Sequence, residues 1–351
     1  MSDIAHSLAH SEVPTEEVRY SLIDTHTHFD APVFDHDRVL QAQSAYRNGV
    51  EHFVLVGYLY RHFDRLYNVR NWLESHTQPQ LALPDAHSLT ANTAAESTRK
   101  TQADQIPKVH IALGLHPFYI QQHTDEHLTL LAKMLNETRP IAIGEIGLDT
   151  FTAEMREPEN FIKQQRFFVA QLDMAVAHQL PVMLHIRKAH ADALAILKKH
   201  NYDAKKLGGI AHSFSGGEQE AKAFVKLGFK LGVTGQITNP NAKKLRRAIQ
   251  AVVAEYGIGC LVIETDCPDM TPINCQNNRE NQFDLAHNMS QSPNNDWQKQ
   301  NSSHDRNVPA NLPWVLKSLS ELLIVDKALL ARQLWDNSRD SLGQSWPNPM
   351  I

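Results

Sequence analysis

Short apolar runs alternate with longer amphipathic segments along most of this chain. The runs have the length and residue types of buried strands, and the segments between them have helical spacing. The predicted strands are residues 22–29, 52–58, 110–115, 141–148, 181–186, 209–214, 230–237 and 260–265. The predicted helices are residues 37–47, 63–74, 128–138, 161–179, 191–200, 218–227, 242–255, 312–323 and 327–342. Such alternation predicts an α/β fold with a parallel sheet and right-handed crossovers.

The positions of polar side chains decide between two arrangements of this sheet. A doubly wound open sheet and a (β/α)8 barrel both fit eight strands. His28, Glu145, His185, His212 and Asp266 lie at or just past the ends of the first, fourth, fifth, sixth and eighth runs. Only a closed ring brings the first and eighth strand ends together, and the C-terminal rim of such a barrel is where active sites form. The sequence therefore favours the barrel.

Two segments interrupt the alternation of predicted strands and helices. We expect a polar tail at 1–20 and one barrel domain at 21–345, with inserted loops at about 77–108 and 271–307 and a helix at the C-terminal end. The first insertion follows a helix, so it should lie away from the active rim. The second is rich in Asn and Gln and follows the last strand directly. It either lines the mouth of the barrel or is a poorly ordered segment without a role.

Composition narrows the class of protein. The chain has 351 residues, 42% hydrophobic and 21% charged, as in ordinary globular proteins. Its 3 Cys are too few for a disulfide framework, and the start lacks the features of a signal peptide. No run is long enough to span a membrane, so we expect a cytoplasmic protein. The net charge of −5 argues against a broad cationic surface for duplex DNA, although bound cations could still attract a nucleic acid locally.

The histidines of the first run suggest a metal site. His26 and His28 are separated by one residue near the end of a predicted strand. Side chains alternate between the faces of a strand, so both imidazoles can reach one ion. The pair alone is weak support in a chain with 20 His, and the residues at the other strand ends strengthen it.

Carboxylates complete the predicted metal site. Glu145 can bridge two divalent ions and offset their repulsion, while Asp266 can bind one ion and accept a proton from the attacking water. Gly144 and Gly147 would remove bulk where ions and substrate approach. Each residue taken alone has a structural explanation, such as an ion pair or a cap. The predicted ligands are His26, His28, Glu145, His185, His212 and Asp266.

These residues lie in motifs that resemble one known family. The motifs are Asp24-Thr-His-Thr-His-Phe-Asp30, Gly114-Leu-His-Pro117, Gly144-Glu-Ile-Gly-Leu-Asp149, Leu184-His-Ile-Arg187, His212-Ser-Phe-Ser-Gly216, Glu264-Thr-Asp-Cys-Pro268 and Arg306-Asn-Val-Pro309. In this order the chain resembles the TatD family of metal-dependent hydrolases, a branch of the amidohydrolase superfamily. The resemblance covers about residues 22–342. The long insertion after Met270 departs from the compact loop of typical members.

The resemblance implies a TIM-type barrel that hydrolyses phosphodiester bonds of DNA, often from the 3′ end of single strands. Two divalent ions (Mg²⁺, Mn²⁺ or Zn²⁺) are implied as cofactors. By analogy the first ion would be held by His26, His28, Glu145 and Asp266, and the second by Glu145, His185 and His212. His116 and Arg187 would face the substrate phosphate.

We therefore expect a deoxyribonuclease with Asp266 and Glu145 as catalytic residues and DNA or an oligonucleotide as substrate. Hydrolysis of another small ester, amide or phosphoester is the alternative, since one fold carries many chemistries. A non-catalytic metal-binding scaffold is a third possibility. The sequence leaves the oligomeric state open, and a monomer agrees with it.

Overall fold

The computed structural model describes residues 18–76, 105–276 and 306–349. Eight parallel strands form one sheet in which each strand lies beside its neighbours in sequence. The strands are β1 (Leu22–Thr27), β2 (Val50–Val56), β3 (Lys108–Leu113), β4 (Ala142–Asp149), β5 (Val182–Arg187), β6 (Ile210–Ala211), β7 (Lys230–Val233) and β8 (Leu261–Ile263).

Helices follow the strands and cover the outside of the sheet. They are α1 (Arg38–Arg47), α2 (Phe63–Ser75), α3 (Asp125–Thr138), α4 (Pro158–His178), α5 (His190–Lys199), α6 (Ala204–Leu207), α7 (Glu218–Leu227), α8 (Lys243–Tyr256), α9 (Leu312–Leu323) and α10 (Lys327–Ser341). Of these, only the four-residue α6 was missed by the sequence analysis. In the part of the chain that the structure describes, no helix combines the length and apolar composition needed to cross a bilayer.

The ring is completed where β1 meets the segment after β8, a junction that we call the seam. The backbone N–H of Asp266 donates to the His26 carbonyl at 3.0 Å. The N–H of His28 donates to the Cys267 carbonyl at 2.9 Å. Buried Asp24 accepts hydrogen bonds from the N–H of Thr265 at 2.8 Å and from its hydroxyl at 2.5 Å. The predicted (β/α)8 barrel is confirmed.

Alternating side chains along each strand build two apolar layers. In β2, Val54 and Val56 belong to the cluster shared by the strands around the ring, inside the barrel. Phe53 and Leu55 point the other way, into the larger cluster between strands and helices. Leu342 and Trp346, beyond α10, pack against the inner cluster and close the base of the barrel. The opposite end, where the strands terminate, stays polar and forms the active rim.

Several predicted strands are longer than the observed ones. β6 and β8 end after two and three residues, at positions where the sequence predicted six each. For β6 the reason lies in the backbone, because Ser213 adopts a left-handed φ of 42°, which strand geometry does not allow. β8 begins one residue later than predicted because Cys260 ends a helical turn at Ile258–Cys260. β7 likewise gives way to a helical turn at Gly235–Thr238.

The two predicted insertions lie largely outside the described residues. The first was predicted to extend to residue 108, but β3 already begins at Lys108. The second returns to the barrel at Arg306, whose guanidinium pairs with Asp37 at 2.5 Å. The side chain of Asn307 then donates to the carbonyls of Thr265 and Asp269 at 2.9 and 2.8 Å. The chain therefore rejoins the rim beside the end of β8.

Candidate metal centre

One carboxylate lies at the centre of the active rim. Glu145, on β4, is 1% exposed and is surrounded by imidazoles. Its Oε2 lies 3.3 Å from Nε2 of His26 and 3.6 Å from Nε2 of His28. Both histidines come from β1 or its end, as the alternation of side chains predicted. Asp266 faces the same pair, with Oδ1 3.9 Å from each Nε2 atom.

The other carboxylate oxygen of Glu145 faces a second group of imidazoles. Its Oε1 lies 2.8 Å from Nδ1 of His185 and 3.6 Å from Nε2 of His212. Nε2 of His116 is also only 3.3 Å from this oxygen. His116, which the resemblance assigned to the substrate phosphate, therefore lies among the donor atoms. The six predicted ligands are all brought together.

Asp266 connects the two groups. It follows β8 in the left-handed conformation, which turns its side chain toward the mouth of the barrel. Besides its contacts with the β1 histidines, its Oδ2 lies 3.6 Å from Nε2 of His212. Burial raises the pKa of the Asp266 carboxyl to about 7, against the opposing effects of His212 and His28.

The donor atoms fit divalent cations. Both ring nitrogens of His26 and Oε2 of Glu145 are buried without a hydrogen-bond partner among the described residues. Buried polar atoms rarely stay unpaired, and imidazole and carboxylate groups are common ligands of divalent metals. Three overlapping groups have their ligand atoms within 4.8 Å of one another. They are His26, His28 and Glu145; His116, Glu145 and His185; and His26, His212 and Glu264.

Charges are unevenly distributed among these imidazoles when no ion is bound. Burial lowers the pKa of His26 to about 3 and that of His116 to about 4. For His185 burial is outweighed by Asp149 and Glu145, which raise its pKa to about 9. His212 is likewise raised to a pKa of about 10, by Glu264 and Asp266 above all. The surrounding imidazoles keep the pKa of Glu145 well below its usual range despite burial.

Two carboxylates that orient the histidines were not assigned a role from the sequence. Oε1 of Glu264 lies 2.9 Å from Nδ1 of His212 and also accepts a hydrogen bond from the N–H of Ser213. Oδ2 of Asp149 lies 2.9 Å from Nε2 of His185. Such partners fix the orientation of metal-binding imidazoles. Their position in the predicted motifs, two residues before Asp266 and four after Glu145, was the available signal.

The glycines beside Glu145 have a different purpose from the predicted one. A Cβ at Gly144 would collide with the side chain of Met183 on β5. A Cβ at Gly147, whose φ is 141°, would collide with the His185 carbonyl. These glycines allow β4 and β5 to approach closely, so they position the ligands rather than make space for ions or substrate.

Arg187 lies at the outer part of the rim. It is the last residue of β5 and is exposed. Its guanidinium stacks on the ring of Phe151, with its central carbon 3.5 Å from the ring centroid. This cation–π contact holds the guanidinium at the mouth of the barrel, beyond the imidazoles.

Known proteins resemble this chain in sequence and in fold. A family model described as TatD related DNase matches residues 23–343. The uncharacterized metal-dependent hydrolase YjjV of Escherichia coli strain K12 is 35% identical over 255 residues, which are 72% of this chain and 81% of YjjV. The chain belongs to the TatD family. It is therefore a metal-dependent hydrolase, as the motifs predicted.

Solved structures agree with this membership. The crystal structure of YjjV, a TatD homologue, matches this chain with a TM-score of 0.66 and 29% identity. The match covers 92% of this chain and 98% of YjjV. A protein of Cronobacter turicensis named 3′-5′ ssDNA/RNA exonuclease TatD is 36% identical over 160 residues, 45% of this chain and 57% of that protein.

Proposed function

We propose that this TatD-family protein is a deoxyribonuclease that uses two divalent ions to hydrolyse phosphodiester bonds, acting from an end of single-stranded DNA. The observation that carries the proposal is the division of Glu145 between two groups of donors. Its Oε2 faces His26 and His28, and its Oε1 faces His185, His212 and His116. A carboxylate with imidazoles at both oxygens would suit a pair of divalent ions that share one ligand.

Each ion would have its own ligands. His26, His28 and Asp266 would hold the first ion with Glu145, and His185 and His212 the second with the same carboxylate. When bound, divalent ions supply a water nucleophile near neutral pH and offset charge on the phosphoryl oxygens. Residues 21–345 would form the single domain that carries this chemistry.

Asp266 would act as the general base. Its Oδ1 and Oδ2 lie between the two groups of imidazoles, 3.9 Å from His28 Nε2 and 3.6 Å from His212 Nε2. An attacking water between these groups would be within reach of the carboxylate, which takes its proton. Glu264 and Asp149 would keep His212 and His185 oriented throughout.

The substrate phosphate would be bound by Arg187 and His116. The Arg187 guanidinium offers several donors in one plane, a geometry that suits phosphoryl oxygens. The nuclease activity in the name of the Cronobacter protein supports a nucleic acid substrate for this chain. Two groups of donor residues in one rim would suit phosphodiester cleavage, in which the attacking and leaving oxygens both need stabilisation.

A substrate panel tests this proposal. End-labelled single- and double-stranded DNA, a dinucleotide, a phosphomonoester and a lactone are incubated with the protein in Mg²⁺, Mn²⁺ or Zn²⁺. We expect stepwise shortening of single-stranded DNA to be the fastest reaction. Hydrolysis of the lactone or the monoester without cleavage of any oligonucleotide would contradict the nuclease assignment.

Asp266→Asn tests the general base. We expect turnover of DNA to fall by about two to four orders of magnitude, the usual range for loss of a general base. Asp192→Asn is the matched control, since Asp192 is exposed in the first turn of α5. Unchanged turnover in Asp266→Asn would remove this carboxylate from the reaction.

A further inference from the structure

A row of aromatic rings leads from the metal centre to the surface. The ring of Tyr58, just after β2, lies 5.6 Å from that of His28. Tyr119, in the turn after β3, lies 5.4 Å from Tyr58 and 5.7 Å from His116. The ring of Phe118 lies 5.4 Å beyond Tyr119. We call Tyr58, Tyr119 and Phe118 the aromatic row. Its inner end touches the donor histidines and its outer end faces solvent.

Phe118 is one of the few exposed phenylalanines among the described residues. Of the phenylalanines that the structure describes, only Phe118 and Phe151 are largely exposed, at 38% and 43%. Both lie on loops of the active rim, after the neighbouring strands β3 and β4. An exposed phenyl ring offers apolar area that a stacked nucleobase would remove from water. The guanidinium of Arg187 already covers Phe151, which leaves Phe118 as the uncovered ring.

Phe118 offers an exposed ring for stacking on a nucleobase, and Tyr119 supports it edge to face, with 89° between the two ring planes. Flat rings at the edge of a positively charged groove bind nucleobases of single strands without reading their sequence. Arg187, the last residue of β5, and Lys188, which follows it, are cations of the same rim, and both are exposed. A phosphodiester at the metal centre would place the base of an adjoining nucleotide beside the row.

We propose that Phe118, supported by Tyr119 and Tyr58, stacks on the nucleobase next to the scissile phosphate and thereby selects single-stranded nucleic acid. This inference rests on the proposed nuclease function. Phe118 is a specificity residue, since it touches the substrate base and not the reacting atoms. Duplex ends would be poor substrates because their terminal bases are already stacked and paired.

Oligonucleotides without a base next to the cleaved bond test the inference. We compare end-labelled single strands of DNA and of RNA whose terminal or penultimate nucleotide is normal or abasic, in the presence of Mn²⁺. Wild type is expected to lose about 5- to 150-fold in kcat/KM when the stacked base is missing. The loss should appear mainly in KM, because stacking binds the substrate without altering the reacting groups.

Phe118→Ala is expected to reduce this discrimination to less than about threefold, and Phe118→Trp should retain it. Trp72→Ala is the matched control, since Trp72 is an aromatic residue that is 41% exposed on α2. Phe151→Ala should weaken normal and abasic substrates alike, because this ring supports Arg187. The inference would be overturned if wild type and Phe118→Ala discriminated equally between normal and abasic strands, or if wild type did not discriminate between them.

The outcomes separate the inference from the function on which it rests. If wild type cleaves normal and abasic strands equally well, the nuclease function stands and the aromatic row does not bind bases. If no strand is cleaved while another ester is hydrolysed, both proposals fail. If DNA and RNA strands show the same ratio of kcat/KM between normal and abasic substrates, stacking on the base is supported, because the sugar then contributes nothing to this ratio.

Discussion

At the scale of single residues, the metal centre depends on how Glu145 is shared. Five imidazole nitrogens lie 2.8–3.6 Å from its two oxygens. Without an ion, the protonated rings of His185 and His212 compensate the negative charge, while His26 and His116 stay neutral. The protons on His185 and His212 therefore supply the positive charge that bound cations would otherwise supply beside Glu145.

Glu145→Gln is expected to abolish binding of both ions. A neutral amide cannot bridge two cations, and each group of imidazoles would lose its shared negative ligand. Elemental analysis after dialysis should show less than half of the wild-type metal content. Glu159→Gln is the control, since Glu159 is exposed in the first turn of α4. Gln164→Glu is not used, because it would add a charge to the core. Full occupancy in Glu145→Gln would refute the bridging role.

Metal binding should release protons. His185 and His212 have pKa values of about 9 and 10 in the metal-free protein, so both are protonated at pH 7 and must lose a proton to bind an ion through that nitrogen. Affinity should rise by up to about tenfold per proton for each pH unit between 6 and 8. Calorimetry in buffers of different ionisation enthalpy counts the protons, and a pH-independent affinity would contradict this expectation.

The sequence predicted the donor residues but not the groups that orient them. His26, Glu145 and Asp266 are recognisable because each lies in a motif within or just after an apolar run. Glu145, which was predicted near the end of its run, lies in the middle of β4. The role of Glu264 depends on a contact with His212 across three neighbouring strands. The aromatic row depends on the approach of Tyr58 and Tyr119 from separate loops. Contacts of this kind follow from the register of a closed sheet, which periodicity along the chain does not specify.

At the scale of secondary-structure elements, β7 leaves room for the side chain of Glu264, which with Asp266 follows β8. Gly232, in the middle of β7, lies directly against the Glu264 carboxyl group, so that a Cβ there would overlap both of its oxygens. A small residue in this strand is therefore what allows the carboxylate to reach Nδ1 of His212. The end of β8 then turns sharply to present Asp266.

Gly232→Ala is expected to weaken metal binding and activity about 10- to 100-fold, the usual effect of losing a partner that orients a ligand. The added methyl group would push Glu264 away from His212. Gly259→Ala is the matched control, because its Cβ would meet only the Asn337 side chain at 3.9 Å. Metal titration and kcat/KM are the measurements. Equal affinities in the two variants would show that Glu264 does not act through His212.

At the scale of the whole molecule, the barrel has a second polar cluster at its base. Nδ1 of His52 and Nε2 of His110 lie 2.9 Å apart, and the ring of Trp346 stacks on both at 4.3 Å. Burial lowers the pKa of His52 to about 3 and of His110 to about 4, with further lowering by Lys108. The folded protein therefore keeps both rings neutral where the unfolded chain would protonate them.

The free energy of unfolding should consequently fall as the pH drops below 6.5. Each of these two imidazoles contributes up to about 1.4 kcal/mol per pH unit, until the folded-state pKa is reached near 3 or 4. His52→Asn should make the dependence between pH 6.5 and 4 shallower by about one such contribution. Urea unfolding at several pH values measures it, with His178→Asn on α4 as the control. Identical slopes in wild type and His52→Asn would contradict this account.

The seam gives the ions a second effect. His26 lies in the first strand, His28 just after it, and Asp266 just after the last strand. A cation held by all three would therefore cross-link the two ends of the sheet, as a disulfide joins distant segments. Removing it would leave the ring fastened there by hydrogen bonds such as those between Asp24 and Thr265. Metal binding and closure of the ring would then be coupled. Removal of the ion by a chelator would loosen the protein first at the seam.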